Sequence, residues 1–455
     1  MNKKIESIHT AVIGAGTAGM FAFSRALKHN RRSILFEAGE GGTTCSRSGC
    51  MPSKMLIRAA DVFRSVENSS EEGVKTGQIE LDTTEMMQSI RAKRDYLVGN
   101  MIRRTESKFG KHMIRSRVKF NSPGVLETED TLYECEKIIV ATGSEPFVPG
   151  NWKVQDRKIV TTDTFFELPE IPERILVMGL GAIGAEISLA LARLGKKVTG
   201  VEMMDTVAGI KDADIRNTVL PLWHEIMDIR LGSSAELKSV GDRVSVAVKD
   251  INTGNTEEMK VDLVLVAAGR KPRTTDLALE NAGIRLDKRK TPVINRKTLK
   301  AEGAEVYFAG DVSAIRPFYH DAELQGRFAG DYSGDTEFDN QIPLSVVFTY
   351  PQIAVAGNTE ENDRVFSVSI PFRKAPRTVV SGNRKGLVKI FVDKKTETIS
   401  GAVIASDKAE NLIMTVTSWI ASGMKVSKLM QLPFYHPTYE EILKSVLILA
   451  AKKLR

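Results

Sequence analysis

The sequence predicts an α/β protein with two Rossmann-like domains, followed by a smaller α+β domain. A glycine turn between a β-branched run and a helical stretch occurs at residues 14–19, and a second such turn occurs at 179–184. From about residue 340 the pattern becomes β-rich and ends in two helices. A chain of 455 residues is too long for one hydrophobic core, so several domains are expected.

The first nucleotide-binding unit reads strand, glycine turn, helix and strand. Gly14 permits a tight turn, Gly16 lets a pyrophosphate approach the backbone, and Gly19 lets the helix pack closely on the strand. Glu37 lies 18 residues after Gly19 (37 − 19). An acid near this distance accepts a hydrogen bond from a ribose hydroxyl. The unit therefore predicts dinucleotide binding.

The second unit repeats the first at the same internal spacing. Its turn contains Gly179, Gly181 and Gly184, and Glu202 again follows the last glycine by 18 residues (202 − 184). Two copies are more specific than one and predict two dinucleotides. Glu202 is expected to repel a 2′-phosphate, and no arginine follows it at 203–206 to bind one. The second unit therefore favours NAD over NADP.

Cys45 and Cys50 are separated by four residues and follow the first unit directly. On an ideal helix their Cα atoms lie roughly 8–9 Å apart, but a disulfide tolerates at most about 7 Å. A bond between them requires a distorted first turn, to which Gly49 and Pro52 are suited. An arbitrary pair is more often two unrelated thiols, but the surrounding nucleotide-binding sequence favours a redox-active disulfide. Cys135 has no sequence neighbour and is interpreted as structural.

Composition limits the classes of function. Three cysteines are too few for a secreted disulfide scaffold, which favours a reducing compartment and predicts a cytoplasmic protein. We expect no membrane role, because no stretch reaches transmembrane length and no signal-peptide core follows the basic start. The net charge of +7 comes without a nucleic-acid motif. The cysteines lack metal-site spacing with histidine, so no metal is expected.

The remaining segments place further candidates. Residues 51–111 are helical in pattern, with a helix start at Asp82, and strands are expected at 113–121 and 124–133, with Cys135 just ahead of another. Asp311 follows a later apolar strand. Helices are expected near 408–422 and 438–453. Between the last β segment and the last helix, His436 precedes Glu441 by five residues, a pair able to act as acid–base and orienting carboxylate.

Together these residues resemble the pyridine nucleotide–disulfide oxidoreductases, most closely the dihydrolipoamide dehydrogenases, over nearly the whole chain. The resemblance implies FAD and NAD as cofactors, a homodimer with a shared active site, and dihydrolipoamide, free or on a lipoyl domain, as substrate. The C-terminal α+β domain then serves dimerisation. The implied boundaries are 1–150 for the first part of the FAD domain, 151–272 for the NAD domain, 273–338 for the return to the FAD domain, and 339–455 for the dimerisation domain.

The resemblance also implies roles. Cys50 would be the flavin-proximal sulfur and Cys45 the interchange sulfur that meets substrate. His436 of the opposite subunit, oriented by Glu441, would be the acid–base. Lys54 is expected beside the flavin and Glu186 near flavin and nicotinamide. The residues expected to contact FAD are Gly14, Gly16, Gly19, Glu37, Thr44, Lys54, Thr142, Gly143 and Asp311. Those expected to contact NAD are Gly179, Gly181, Gly184, Glu202 and Gly269.

The sequence departs from the family pattern at two places, and alternative functions therefore stay open. Thr43 replaces a glycine, and Ser46-Arg47-Ser48 replaces an apolar loop between the cysteines. A cationic loop is expected to change the thiolate pKa or the redox poise. The alternatives are a glutathione-type disulfide reductase and a flavin-bound redox sensor with incidental turnover. The former favours NADP, against Glu202, and carries an arginine where this chain has Ser24.

Overall fold

The structure is a computed structural model that describes residues 3–150, 152, 157–331, 336–338 and 342–455. The strands, in chain order, are β1 (Lys4–Ile13), β2 (Ser33–Phe36), β3 (Met113–Ile114), β4 (Lys119–Ser122), β5 (Val125–Glu127), β6 (Thr131–Val140), β7 (Ser144–Pro146), β8 (Ile159–Thr161), β9 (Arg174–Met178), β10 (Lys197–Val201), β11 (Asp228–Arg230), β12 (Ser233–Val240), β13 (Val244–Asp250), β14 (Thr256–Val261), β15 (Leu263–Val266), β16 (Arg270–Pro272), β17 (Val306–Phe308), β18 (Leu344–Val347), β19 (Gln352–Gly357), β20 (Val365–Pro371), β21 (Leu387–Asp393) and β22 (Thr398–Ser406).

The α-helices, in chain order, are α1 (Thr17–His29), α2 (Thr44–Arg47), α3 (Cys50–Glu67), α4 (Thr83–Phe109), α5 (Ala182–Arg193), α6 (Ala213–His224), α7 (Tyr319–Asp331), α8 (Pro376–Val380), α9 (Ala409–Ser422), α10 (Val426–Leu429) and α11 (Glu441–Leu454).

The first sheet has the strand order β3-β2-β1-β6-β5-β4, with β17 also paired to β6. β1 runs parallel to β2 and β6, so Ile13 lies opposite both Phe36 and Val140 at the carboxyl edge. β17 comes from more than 160 residues further along the chain and pairs parallel to β6. The chain therefore leaves this sheet, builds a second domain, and returns. Ligands of open α/β sheets bind at such carboxyl edges.

The second sheet has the order β11-β10-β9-β15-β8, and its pairs are parallel. Its central strands are almost continuously apolar, which is typical of parallel strands covered on both faces. The antiparallel meander β12-β13-β14 packs beside it. Both glycine turns thus follow strands, β1 and β9, that are paired in parallel on both sides.

The C-terminal domain is one antiparallel sheet, ordered β18-β19-β22-β21-β20, covered by α9 and α11. Its core consists of the inward residues of β21 and β22 and the apolar stripes of the two helices. The α/β fold with two Rossmann-like domains and a C-terminal α+β domain is therefore confirmed. The domain boundaries at 150, 272 and 338 stay predictions.

The expected helical stretch from residue 51 to 111 is wrong in its middle. α3 ends at Glu67, and residues 73–82 form no helix. This largely exposed segment contains Gly73 and Gly77, and glycine disfavours a helix. The helix start at Asp82 is confirmed, since one carboxylate oxygen accepts the backbone N–H groups of Thr84 and Glu85 at 2.8 and 2.9 Å.

The strand predictions after residue 113 also need correction. The expected strand at 113–121 is two short strands, β3 and β4, and the strand at 124–133 is β5 and the start of β6. Cys135 lies inside β6, not ahead of a strand, because β6 pairs with β1 along its length and sets Cys135 opposite Ile8. Its side chain packs at the edge of the core beneath this sheet.

Candidate active site

The two cysteines lie on two successive short helical pieces. Cys45 is inside α2 and Cys50 is the first residue of α3, with Gly49 between them. The N–H of Gly49 donates to the Thr44 carbonyl at 2.8 Å, which closes the turn. The segment is thus distorted from an ideal helix, as predicted. In this structure both residues are free thiols rather than a disulfide.

The two thiols are chemically unequal. The Cys45 side chain stabilises the Cys50 thiolate and, together with the nearby Lys54 ammonium, lowers the pKa of the Cys50 thiol to about 7. The Cys50 side chain, together with burial, raises the pKa of the Cys45 thiol. Cys50 is therefore the first of the two thiols to ionise.

Lys54 joins the cysteine helix to both other domains. Its ammonium lies 2.8 Å from Oε2 of Glu186 on α5 and 4.2 Å from the ring centroid of Phe348. Oε1 of Glu186 accepts the backbone N–H of Phe348 at 2.9 Å. The Glu186 side chain is only 8% exposed. The Lys54 ammonium therefore neutralises the charge of a buried carboxylate close to the thiols. Lys54 and Glu186, each expected near the flavin, are brought together, and neither this ion pair nor the contact with Phe348 was predicted from the sequence.

The cationic loop does not point at the sulfurs. Arg47 Nε donates to the Gly41 carbonyl at 2.5 Å, and its other nitrogen lies 3.2 Å from a Glu40 carboxylate oxygen. Thr43 and Ser46, both buried, bond to each other. The Arg47 guanidinium is therefore directed to the preceding turn, and an effect of this loop on the thiolate pKa or the redox poise stays a prediction. The cation beside Cys50 is Lys54.

A polar chain missed by sequence reasoning links the cysteine segment to Asp311. Ser48 Oγ donates to Asp163 at 3.3 Å, and Asp163 accepts from Arg270 at 2.8 Å. Arg270 Nε donates to Ser144 Oγ at 2.9 Å, and that hydroxyl donates to Asp311 at 2.7 Å. Arg270 directly follows Gly269 at the end of the second unit, and this position in the sequence could have identified it as a candidate site residue. The chain of bonds fixes Asp311 at the sheet edge.

The first glycine turn has the shape of a phosphate cradle. Gly14 has φ +101°, and a Cβ on Gly19 would lie 1.8 Å from the Gly14 carbonyl oxygen. A Cβ on Gly16 meets only the Ala141 oxygen, at 3.9 Å, so its outer side is open. The Glu37 carboxylate accepts the Ala15 N–H at 2.7 Å and is thereby aimed across the turn. These features fit the diphosphate and ribose of FAD.

The second turn reproduces that geometry. Gly179 has φ +94°, a Cβ on Gly184 would lie 1.9 Å from the Gly179 oxygen, and nothing lies within 4 Å of a Cβ on Gly181. Glu202 accepts the N–H of Leu180 at 2.8 Å, the counterpart of the Ala15 contact. The residues fit a second dinucleotide with a free 2′-hydroxyl.

The other predicted cofactor residues lie around these turns. The Thr142 hydroxyl donates to the Arg273 carbonyl at 2.6 Å, and Gly143 and Gly269 have φ of +71° and +113°. Thr44 is exposed at the start of α2. Thr142, Gly143 and Gly269 lie where the chain crosses between the two sheets, through the β7–β16 pair.

His436 and Glu441 meet as predicted. His436 Nδ1 lies 2.9 Å from Oε1 of Glu441, and the Thr438 N–H donates to Oε2 at 3.1 Å. The histidine holds the pKa of the Glu441 carboxyl below its usual value. The His436 side chain is 67% exposed, and among the described residues no hydrogen bond joins it to Cys45 or Cys50.

Across the described ranges, no helix combines the length and apolar character needed to cross a bilayer.

Known proteins share this architecture. The chain matches the family described as "Pyridine nucleotide-disulphide oxidoreductase" over residues 8–326 and that family's dimerisation domain over residues 343–447. It is 31% identical to dihydrolipoyl dehydrogenase 1, mitochondrial, of Arabidopsis thaliana over 95% of this chain and 88% of that protein. It is 30% identical to dihydrolipoyl dehydrogenase of Thermus scotoductus over 94% of each.

A solved structure has the same fold. The Cu(II) complex of the HOCl-induced flavoprotein disulfide reductase RclA of Escherichia coli matches with a TM-score of 0.83 at 24% identity, over 99% of this chain and 100% of that one. Members of the matched family and the dihydrolipoyl dehydrogenases use FAD and NAD(H). The chain itself belongs to the pyridine nucleotide–disulfide oxidoreductase family, with its dimerisation domain.

Proposed function

We propose that the protein is a cytoplasmic homodimer that oxidises dihydrolipoamide to lipoamide and reduces NAD⁺ to NADH, with release of one proton. The inequality of the Cys45–Cys50 pair carries the proposal: one sulfur stays protonated and the other ionises with a pKa of about 7. Disulfide exchange needs an attacked sulfur and a good leaving thiolate, and a lower pKa makes a better leaving group. The names of the dihydrolipoyl dehydrogenase relatives support the substrate.

In the proposed cycle the pair begins as a disulfide. His436 of the other subunit, held by Glu441, takes a proton from the substrate dithiol, and the substrate thiolate attacks Cys45 Sγ. The Cys45–Cys50 bond breaks and Cys50 leaves as a thiolate beside Lys54. The second substrate thiol then displaces Cys45, which closes the lipoamide ring and leaves the protein pair reduced.

FAD, when bound, supplies the two-electron transfer between the protein thiols and the nicotinamide. Gly14, Gly16, Glu37 and Asp311 would hold it. Gly179, Gly181, Gly184 and Glu202 would hold NAD in the second unit. Glu186 would hold the Lys54 ammonium near Cys50, where the ammonium stabilises the negative charge of the Cys50 thiolate.

Steady-state turnover tests this function. We expect NAD⁺ reduction with dihydrolipoamide to exceed, by orders of magnitude in kcat/KM, both NADPH oxidation with glutathione disulfide and NADH oxidation with glutathione disulfide. Efficient NADPH-dependent reduction of glutathione disulfide would favour the glutathione-type alternative. A flavin-loaded protein that is reduced by dithiols but turns over with none of these pairs would favour the redox sensor.

A further inference from the structure

A cluster of cations without acidic partners lies beside the His436 segment. It comprises Arg373, Lys374, Arg377 and Arg384, which we call the basic patch. No Asp or Glu occurs between residues 371 and 386. Within the described part of the chain none of the four forms an ion pair, whereas the neighbouring Lys385 lies 3.6 Å from Glu225. Three of the four side chains are exposed and Arg377 is half-buried.

The basic patch is attached to the proposed acid–base through Tyr439. The Tyr439 hydroxyl lies 2.7 Å from Ser381 Oγ and donates to Asp407 at 3.1 Å. Its ring lies 6.4 Å, centroid to centroid, from that of Phe372, the buried residue that precedes Arg373. Tyr439 is two residues from Glu441, which holds His436. The patch is therefore fixed at the edge of the segment that meets the dithiol.

Between the cations the surface is apolar. Val379 and Val380, at the end of α8, are 62% and 65% exposed. An apolar centre with a charged rim is the composition of a protein-binding surface, whereas a small anion needs donors that converge on one point. Four like charges also disfavour an isologous subunit contact. The exposed apolar residues Met414, Ile448 and Leu449 on α9 and α11 are better suited to that role.

We propose that the basic patch docks an acidic protein domain that carries the dithiol to the active site. This inference rests on the proposed dithiol oxidation and adds to it the surface on which a carrier of the dithiol docks. The patch would hold the carrier by charge complementarity while its dithiol arm reaches past His436. Such rim charges act mainly on association and give it a salt dependence.

The test compares two substrates with the flavin-loaded protein. One is a lipoyl domain of net negative charge, carrying a dihydrolipoyl group, and the other is free dihydrolipoamide, which is neutral. Arg373→Glu/Lys374→Glu reverses two patch charges. Lys288→Glu/Arg289→Glu is the matched control, because both residues are exposed and their change in net charge is the same. Flavin content and the thermal midpoint report folding, and Arg384→Glu serves if the double patch variant does not fold.

We expect the patch variant to raise KM for the dihydrolipoyl domain about tenfold while kcat and both constants for free dihydrolipoamide stay within about twofold. Calorimetry should show the same loss in binding of the domain. The KM of the unmodified protein should rise with added salt, and that of the patch variant should not. The control variant should match the unmodified protein.

Other results would overturn the inference. An unchanged KM for the domain, or an equal rise in the control variant, removes the docking role. An equal rise for dihydrolipoic acid, a small anion, would make the patch a carboxylate subsite instead. If the unmodified protein oxidises neither free dihydrolipoamide nor the dihydrolipoyl domain, the proposed function and this inference both fail. If the patch variant oxidises free dihydrolipoamide normally and its KM for the domain is unchanged, only this inference fails.

Discussion

Thr43 and Ser46 hydrogen-bond in both directions around the start of the helix that carries Cys45. Ser46 N–H donates to Thr43 Oγ1 at 3.1 Å, and Thr43 N–H donates to Ser46 Oγ at 3.2 Å. This is a capping box in which serine takes the place of the usual acid or amide. The two departures from the family pattern at these positions are therefore one structural unit.

The capping box predicts coupled stabilities. Thr43→Ala and Ser46→Ala should each destabilise α2 by about 1 kcal/mol, the usual cost of losing a cap. The double variant should lose less than the sum, because each residue needs the other. Native-state hydrogen exchange of the amides in α2 measures both quantities. Additive losses would show that the two side chains act independently.

The thiolate at Cys50 predicts a pH dependence. Its pKa of about 7 means that, in the reduced protein, thiolate absorbance should rise as pH increases through about 7. Lys54→Met removes the nearby positive charge, so the midpoint should move to higher pH. Lys93→Met, which changes an exposed lysine on α4, is the control. A midpoint that Lys54→Met leaves unchanged would contradict the assignment of Lys54 as the stabilising cation.

The open side of Gly16 predicts a loss of flavin without a loss of fold. A Cβ at this position meets only the Ala141 oxygen, at 3.9 Å, so Gly16→Val should fold and yet block the approach of a diphosphate. The flavin-to-protein absorbance ratio should fall by about tenfold or more, because a diphosphate that cannot approach the backbone leaves most of the protein without flavin. Gly181→Val, the matched change in the second turn, should keep flavin and weaken NADH binding. Full flavin occupancy in Gly16→Val would refute the assignment of this turn.

The His436–Glu441 pair predicts selective damage to dithiol chemistry. His436→Ala should lower dihydrolipoamide oxidation by roughly 10²–10⁴-fold, the range for loss of a general acid–base. NADH-driven reduction of an artificial dye should largely survive, because it needs no thiol proton. Equal losses of both activities would indicate a structural rather than a proton-transfer role.

Mixed dimers extend the same prediction. If His436 acts on the cysteines of the other subunit, dimers formed from Cys45→Ser and His436→Ala chains retain one intact site. Activity should then return in proportion to the heterodimer fraction. Mixed dimers that stay inactive, although each parent reduces dye, would show that the site is not shared.

The repeated glycine turns and the Cys45–Cys50 spacing predicted the architecture because they are local patterns with few alternative structures. The spacing also required a distorted turn, and the structure divides it between α2 and α3. The expectation that Lys54 and Glu186 lie near the flavin came only from the family resemblance. Segments 73–82 and 113–133 were misjudged, because weak helical and strand periodicity does not fix where an element ends.

The remaining features depend on contacts between distant parts of the chain. Arg270, Asp163 and Phe348 reach the site from separate elements, so sequence spacing says nothing about them. The contacts that Arg47 makes with Glu40 and Gly41 could not be predicted from the sequence for the same reason. The sequence shows that a cationic side chain is present, but only the tertiary structure shows with which acidic or polar group it interacts.

The most direct test of the account is a thiol count in the denatured protein before and after reaction with dihydrolipoamide. The chain has three cysteines. If Cys45 and Cys50 form the redox disulfide, the air-oxidised protein should show one free thiol, that of Cys135, and anaerobic treatment with dihydrolipoamide followed by its removal should give three. Cys45→Ser should show two in both states. Three free thiols before treatment, or one that persists after it, would contradict the claim that this pair accepts electrons from the dithiol.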